Sequence, residues 1–281
     1  MKIGITGATG QLGRLVVEKL KQKIDTGDLV ALVRSPEKAA DLGIEAREFD
    51  YTKPEKLVNS LEGVDKLMMI SGSEVGQRKT QHENVISAAK KAGIKSIVYT
   101  SLLKADSSTL SLAGEHVQTE QMLKTSGIPH TILRNGWYTE NYLMSIKEAL
   151  ASGALLGSAG DGKISSATRE DFAEAAAVVL TSDNQAGEVY ELAGDESYTL
   201  RDLAVEVSRQ SGNDFPYKNL PESEYVEVLK SIGVPESFAP VIAGWDVSAS
   251  KGDLFDDSKT LSSLIGRPTT PLTTAVKEAL K

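Results

Sequence analysis

Along the first half of the chain, apolar residues recur in short runs of strand length separated by segments of helical spacing. Ile3 and Ile5 alternate with Gly4 and Thr6 as a buried strand, and Leu12, Leu15, Val16 and Leu20 then mark one face of a helix. Residues 29–33 form a continuous apolar run that ends at Arg34-Ser35-Pro36, where Pro36 opens a short helix through Ala39, Ala40 and Leu42. Further strands are expected over 45–49, 66–70, 96–100 and 130–133, with helices over 54–61, 77–92 and 113–125 between them. Gly63, Gly93 and Gly127 supply the helix stops.

This strict alternation predicts an α/β fold of Rossmann type, a doubly wound parallel sheet. Beyond residue 137 the alternation loosens. Helices are expected over 142–151, 171–180, 200–210, 222–232, 258–264 and 272–280, with one more strand over 188–192; Pro235 and Pro240 punctuate the middle. The expected organisation is a nucleotide-binding domain over 1–136. A smaller, mostly helical substrate lobe over 137–281 shares its core, and some of its segments return to the sheet. Ligands of such sheets bind beyond the carboxyl ends of the strands, which here are polar or glycine-rich at 71–73, 101 and 135–141.

The stretch Gly7-Ala8-Thr9-Gly10-Gln11-Leu12-Gly13 lies between the first strand and the first helix. Strand, glycine turn and helix N-terminus together present backbone N–H groups to a pyrophosphate. Gly7 permits the tight turn, Gly10 a close approach of backbone to phosphate, and Gly13 close packing of helix on strand. The spacing is Gly-x-x-Gly-x-x-Gly, and its context is that of a dinucleotide site. Arg34 stands at the end of the second strand, where an acidic residue would otherwise select a ribose 2′-hydroxyl. An arginine there suits a 2′-phosphate and favours NADP(H), although a solvated surface arginine is the plain alternative. Asp50 suits either an adenine contact or a helix-entry turn.

Composition changes the picture mainly by exclusion. The 281 residues carry a net charge of −8, which argues against general affinity for nucleic acid or anionic membrane. The absence of cysteine removes disulfides and thiolate chemistry. His82, His116 and His130 are dispersed without metal-ligand spacing, so no metal is expected. No membrane span or signal peptide is visible, and a cytoplasmic, soluble protein is expected, as a monomer or small homo-oligomer.

Ser101 closes the fifth strand, and the next helix places His116 and Glu120 at i, i+4. In this the chain resembles the atypical short-chain dehydrogenase/reductases, whose serine is followed by Tyr-x-x-x-Lys; here neither tyrosine nor lysine is present. His116 is a candidate proton donor, since its reference pKa lies near neutrality, although a lone helical histidine is commonly structural. Trp137, Tyr138 and Tyr142 cluster with Asn135 and Asn141 in a chain that is only 5% aromatic. Flat walls with amide donors suit a nicotinamide and a planar acceptor, or else a hydrophobic plug.

Together with Ser73-Glu-Val-Gly-Gln-Arg78, Arg134-Asn-Gly-Trp-Tyr138, Gly160-Asp-Gly-Lys-Ile164, Ala167-Thr-Arg169 and 254–261, these motifs resemble the NmrA-like branch. The likeness narrows to the type 2 NADPH:quinone oxidoreductases and spans nearly the whole chain. It implies NADPH contacts from Gly7, Ala8, Thr9, Gly10, Gln11, Leu12, Arg34, Ser71, Gly72 and Ser73. Further cofactor contacts are implied at Gly136, Trp137, Tyr138, Thr139, Glu140, Asn141 and Arg169. It also implies a quinone substrate; the proton for its reduction could come from water, the Tyr138 hydroxyl or His116. Related proteins often carry serine at the position of Gly72, a change that a backbone contact would survive. An NADP(H) sensor with little catalysis, or a reductase of azo and other dye-like acceptors, would use many of the same residues.

Overall fold

The computed structural model describes all 281 residues. The chain divides into two compact units, each assembled from separated stretches. The first comprises Met1–Ala105, Gly114–Asn135 and Arg169–Tyr190; the second comprises Asp106–Ala113, Gly136–Thr168 and Glu191–Lys281.

In the first unit, strands β1 (Ile3–Thr6), β2 (Leu29–Val33), β3 (Glu45–Glu48), β4 (Lys66–Met69), β5 (Ser96–Leu102) and β6 (His130–Asn135) are joined by helical crossovers. With β8 (Val189–Leu192) they form a seven-stranded sheet in the order β3-β2-β1-β4-β5-β6-β8. The pairs β1–β2, β1–β4, β2–β3, β4–β5 and β5–β6 are all parallel. The winding reverses beside β1, which leaves a crevice beyond the carboxyl ends of β1 and β4. Residues of β1 and β2 are buried throughout, as strands covered on both faces must be.

One layer is α1 (Gln11–Lys21) packed on α7 (Arg169–Thr181), tied by Lys19 to Glu170 at 2.9 Å. The other comes from α2 (Pro54–Ser60), α3 (Arg78–Ala92) and α4 (Ala113–Ser126), whose Leu57, Val85, Ala89 and Leu123 join Leu32, Leu61, Leu67, Tyr99 and Ile132 in one core. The expected strands and helices of this half are present with small shifts at their ends.

The second unit contains α5 (Glu140–Leu143), α6 (Ile146–Ser152), β7 (Leu155–Gly157), α8 (Leu200–Ser211), β9 (Tyr217–Asn219), α9 (Glu222–Ser231), α10 (Ala239–Ser250), α11 (Thr260–Ile265) and α12 (Leu272–Leu280). Three features depart from the sequence pattern. The helix expected over 142–151 is two helices, interrupted at Met144 and Ser145. The parallel pair β7–β9 has three residues per strand, too short for alternation to register. Helix α10 forms despite Pro240, which occupies its first turn, where an N–H is not needed. No helix is long and apolar enough to cross a membrane.

Candidate active site

A cleft of about 430 Å³ opens beyond the ends of β1 to β4 and is lined by Gly7, Thr9, Gly10, Arg34, Ser35, Lys38, Asp50, Ser71, Gly72, Ser73, Glu74 and Gln81, among others. Gly7 has φ +60°, the left-handed region that a side chain resists, and its carbonyl accepts the Gly10 N–H at 2.8 Å. A Cβ on Gly13 would collide with that same carbonyl, so the helix reaches the turn only because Gly13 has none. The first turn of α1 follows directly, and its amides have no carbonyl of their own helix to bond. A nucleotide pyrophosphate fits this cradle. Of the ten contacts expected over Gly7–Leu12, Arg34 and Ser71–Ser73, seven line the cleft; Ala8 and Leu12 are buried behind it, and Gln11 begins the helix.

The floor is held by side chains from several strands. The Tyr51 hydroxyl lies 2.5 Å from Thr6 Oγ1 and 2.9 Å from the Ile70 carbonyl. Ser71 N–H donates to Thr100 Oγ1 at 2.9 Å. Asp50 accepts from the Thr52 N–H and hydroxyl; burial pushes its carboxyl up, but these bonds and Lys53 leave it below the usual range. This is the helix-entry turn, and it leaves Asp50 on the cleft wall.

Gly72 is gripped from both sides. Its N–H donates to His82 Nε2 at 3.0 Å, and its carbonyl accepts from Arg78 Nε at 2.6 Å. His82 is fully buried, and its Nδ1 lies 2.9 Å from Thr119 Oγ1. Arg78 also pairs with Glu115 at 3.3 Å, and Glu115 Oε1 accepts from the Gly76 and Arg78 amides. The sequence pattern did not single out His82 or Glu115 for these roles, although Arg78 closed a motif of the family resemblance.

The place of the usual Tyr-x-x-x-Lys pair is filled by a buried network. Ser101 Oγ donates to Glu120 Oε1 at 2.6 Å, while Arg134 Nε and Nη2 donate to Oε1 and Oε2 at 2.9 and 2.8 Å. His116 Nδ1 lies 2.8 Å from the Tyr99 hydroxyl. Burial, helped by the Arg78 cation, pushes the His116 imidazole down to about 3. His116 is 4% exposed and neutral at ordinary pH, so its surroundings do not support the expectation of a proton donor. Its i, i+4 partner Glu120 is committed to Arg134.

In the second unit, Gly136 N–H donates to the Leu192 carbonyl, and Trp137, Tyr138 and Thr139 run beside Ala167. Thr139 Oγ1 lies 2.8 Å from Ser166 Oγ, which lies 2.6 Å from the Tyr198 hydroxyl. Glu140 opens α5, Asn141 is exposed, and Tyr138 is half-buried. Trp137 meets Trp245 edge-on at 5.5 Å and Tyr142 at 6.5 Å, and Phe238 stands 5.5 Å from Trp245. The Trp137 Nε1–H is buried without a partner. Helix α10 and the residue that precedes it thus contribute two aromatic rings, Trp245 and Phe238, that the sequence pattern did not reveal. The helix also contributes Asp246, which is 6% exposed, accepts the Ser158 N–H at 2.8 Å and is pushed by burial up to about 6. Arg169, the remaining expected contact, is half-buried at the start of α7 in the first unit.

The sheet, its glycine turn and the cleft define a nucleotide-binding protein of the dinucleotide type. The chain belongs to the NAD(P)H-binding family, which it matches over residues 7–183. It is 56% identical over 277 residues to quinone oxidoreductase 2 of Escherichia coli K12, covering 98% of this chain and 97% of that one. The crystal structure of the E. coli NADPH-dependent quinone oxidoreductase complexed with NADPH superposes with a TM-score of 0.97 at 55% identity, covering 99% and 100% of the two chains. A Citrobacter triphenylmethane reductase is 39% identical with a TM-score of 0.96, covering 100% of this chain and 99% of that one.

Proposed function

We propose that the protein is an NADPH-dependent reductase of quinones and similar conjugated acceptors. The observation that carries this reading is the buried Ser101–Glu120–Arg134 network. It occupies the place of an acid–base pair, so the site suits acceptors that take hydride without one. A quinone is such an acceptor, because its reduced form gains aromaticity. The E. coli and Citrobacter relatives, named for quinones and triphenylmethane dyes, support an acceptor of this conjugated kind.

Bound NADPH supplies the hydride. The chain supplies orientation: the Gly7–Gly10 turn and the first turn of α1 would hold the pyrophosphate, Arg34 would pair with the 2′-phosphate, and Ser71 to Ser73, just beyond β4, would hold the nucleotide on the cleft wall. Residues 136–141 and Arg169 are further proposed cofactor contacts. Trp137, Tyr142 and Trp245 offer flat faces for a planar acceptor, and the Tyr138 hydroxyl is the proposed proton donor. One hydride and one proton convert the quinone to the hydroquinone.

Stopped-flow oxidation of bound NADPH tests this, with 1,4-benzoquinone as acceptor, NADH as control and the uncatalysed rate subtracted. Saturable oxidation with NADPH preferred is expected. Tight NADPH binding without catalysed oxidation would overturn the reductase in favour of a nucleotide sensor.

A further inference from the structure

Arg34 is not alone at the mouth of the cleft. Its Nη1 lies 3.2 Å from Glu74 Oε1, so the proposed 2′-phosphate ligand already faces a carboxylate. Both side chains line the cleft, at 70% and 48% exposure respectively. Exposed ion pairs usually wander, but this carboxylate has a second anchor. Gln81, 6% exposed on α3, donates its Nε2–H to Glu74 Oε2 at 2.8 Å. The loop carrying Glu74 is fixed on both flanks, at Gly72 by His82 and Arg78, and at Gly76 by Glu115. The fold therefore sets this one anion against this one guanidinium.

We propose that Glu74 is a specificity-determining residue that competes with the nucleotide 2′-phosphate for Arg34. The inference rests on the assignment of Arg34 to that phosphate. In the nucleotide-free chain, Glu74 neutralises Arg34 and Gln81 steadies it. A 2′-phosphate entering the cleft takes over the guanidinium and leaves Glu74 with Gln81 alone. A nucleotide lacking the 2′-phosphate does not contest the pair. Glu74 thus lowers affinity for the phosphorylated cofactor only, which eases release of NADP⁺ after turnover. Arginine suits such an exchange, because its planar fork accepts carboxylate and phosphate in similar geometry.

The test is calorimetric titration of the full chain with 2′,5′-ADP and with 5′-AMP, which differ at the contested phosphate. Glu74→Gln keeps an oxygen acceptor for Gln81 and removes the charge. It is expected to tighten 2′,5′-ADP by about two- to fivefold, the range an exposed pair commands, and to leave 5′-AMP unchanged. In an Arg34→Ala background the gain should vanish, because the competition runs through Arg34. No change, an equal change for both ligands, or a gain that persists without Arg34 would each overturn the proposal. Arg34→Ala alone separates the two readings. If it weakens 2′,5′-ADP selectively while Glu74→Gln is silent, only the Glu74 inference fails. If it leaves the preference for 2′,5′-ADP over 5′-AMP unchanged, the 2′-phosphate assignment itself fails, and this inference with it.

Discussion

Glu120 and Arg134 form a two-point ion pair inside the first unit, Nε to Oε1 at 2.9 Å and Nη2 to Oε2 at 2.8 Å. With 3% and 9% of their side chains exposed, neither charge has water to fall back on. Glu120→Ala would remove the carboxylate that faces the Arg134 cation. Removing one partner of such a buried pair costs about 3–5 kcal/mol, so a large fall in the denaturant midpoint is expected. The double variant His116→Tyr with Glu120→Lys restores the familiar sequence pattern but sets a second cation against Arg134. It should be less stable still and gain no alcohol dehydrogenase activity. A wild-type midpoint in either variant would mean that the pair does not support the fold.

Asp246 makes a different prediction. Burial raises its carboxyl from 3.8 to about 6 in the folded chain, and the Ser158 N–H offsets only part of that. A raised acid favours the folded state at low pH, so this contribution is present below pH 3.8 and lost as pH rises through about 6. The rise from 3.8 to about 6 corresponds to about 3 kcal/mol. Asp246→Asn keeps an acceptor for Ser158 and removes the charge. Its stability relative to wild type should therefore climb between pH 4 and 7; parallel pH profiles would contradict the burial of this charge.

His82 and His116 carry the opposite sign. Burial, reinforced by Arg78, lowers both imidazoles from 6.5 to about 3. Their contribution is whole above pH 6.5 and lost as pH falls toward 3, because the unfolded chain takes up protons that the folded chain refuses. For His82 the loss has a local consequence: protonated Nε2 can no longer accept the Gly72 N–H. His82→Gln should flatten the acid limb of the unfolding curve. An acid limb as steep as that of wild type would rule His82 out as its source.

Trp137 and Tyr138 bear on the acceptor. Replacing both with alanine removes one ring of the Trp137–Trp245–Tyr142 cluster and the proposed proton donor. Benzoquinone turnover is expected to fall at least tenfold, on the order of a lost general acid and its stacking wall. Turnover retained within about twofold would move the acceptor away from these residues. Tyr138→Phe alone separates the hydroxyl from the ring: a proton-donor role lowers kcat with little change in KM.

Much of the first unit was legible along the chain because its signals are local. A glycine at φ +60° and a second one packed under the same carbonyl announce a turn into a helix. Strands 4 to 7 residues long and mostly buried announce themselves as short apolar runs. Arg34 was readable because its meaning depends on its place at a strand end. In the second unit the weaker pattern had a physical cause: three-residue strands and a helix with proline in its first turn leave little periodicity.

The residues that give the site its character were decided elsewhere. The i, i+4 spacing of His116 and Glu120 shows that they share a helix face, but not that the face is buried against Tyr99 and Arg134. Glu74 reaches Arg34 across 40 positions, and Asp246 reaches Ser158 across 88. The stretch Arg169–Tyr190 joins the first unit although segments of the second lie on both sides of it in the chain. Turn chemistry and strand patterning act between neighbours, so the sequence by itself determined the sheet, the glycine cradle and the choice of arginine at position 34. Burial and the pairing of charges act between residues far apart in the chain, so only the folded protein decided which side chains are free to act.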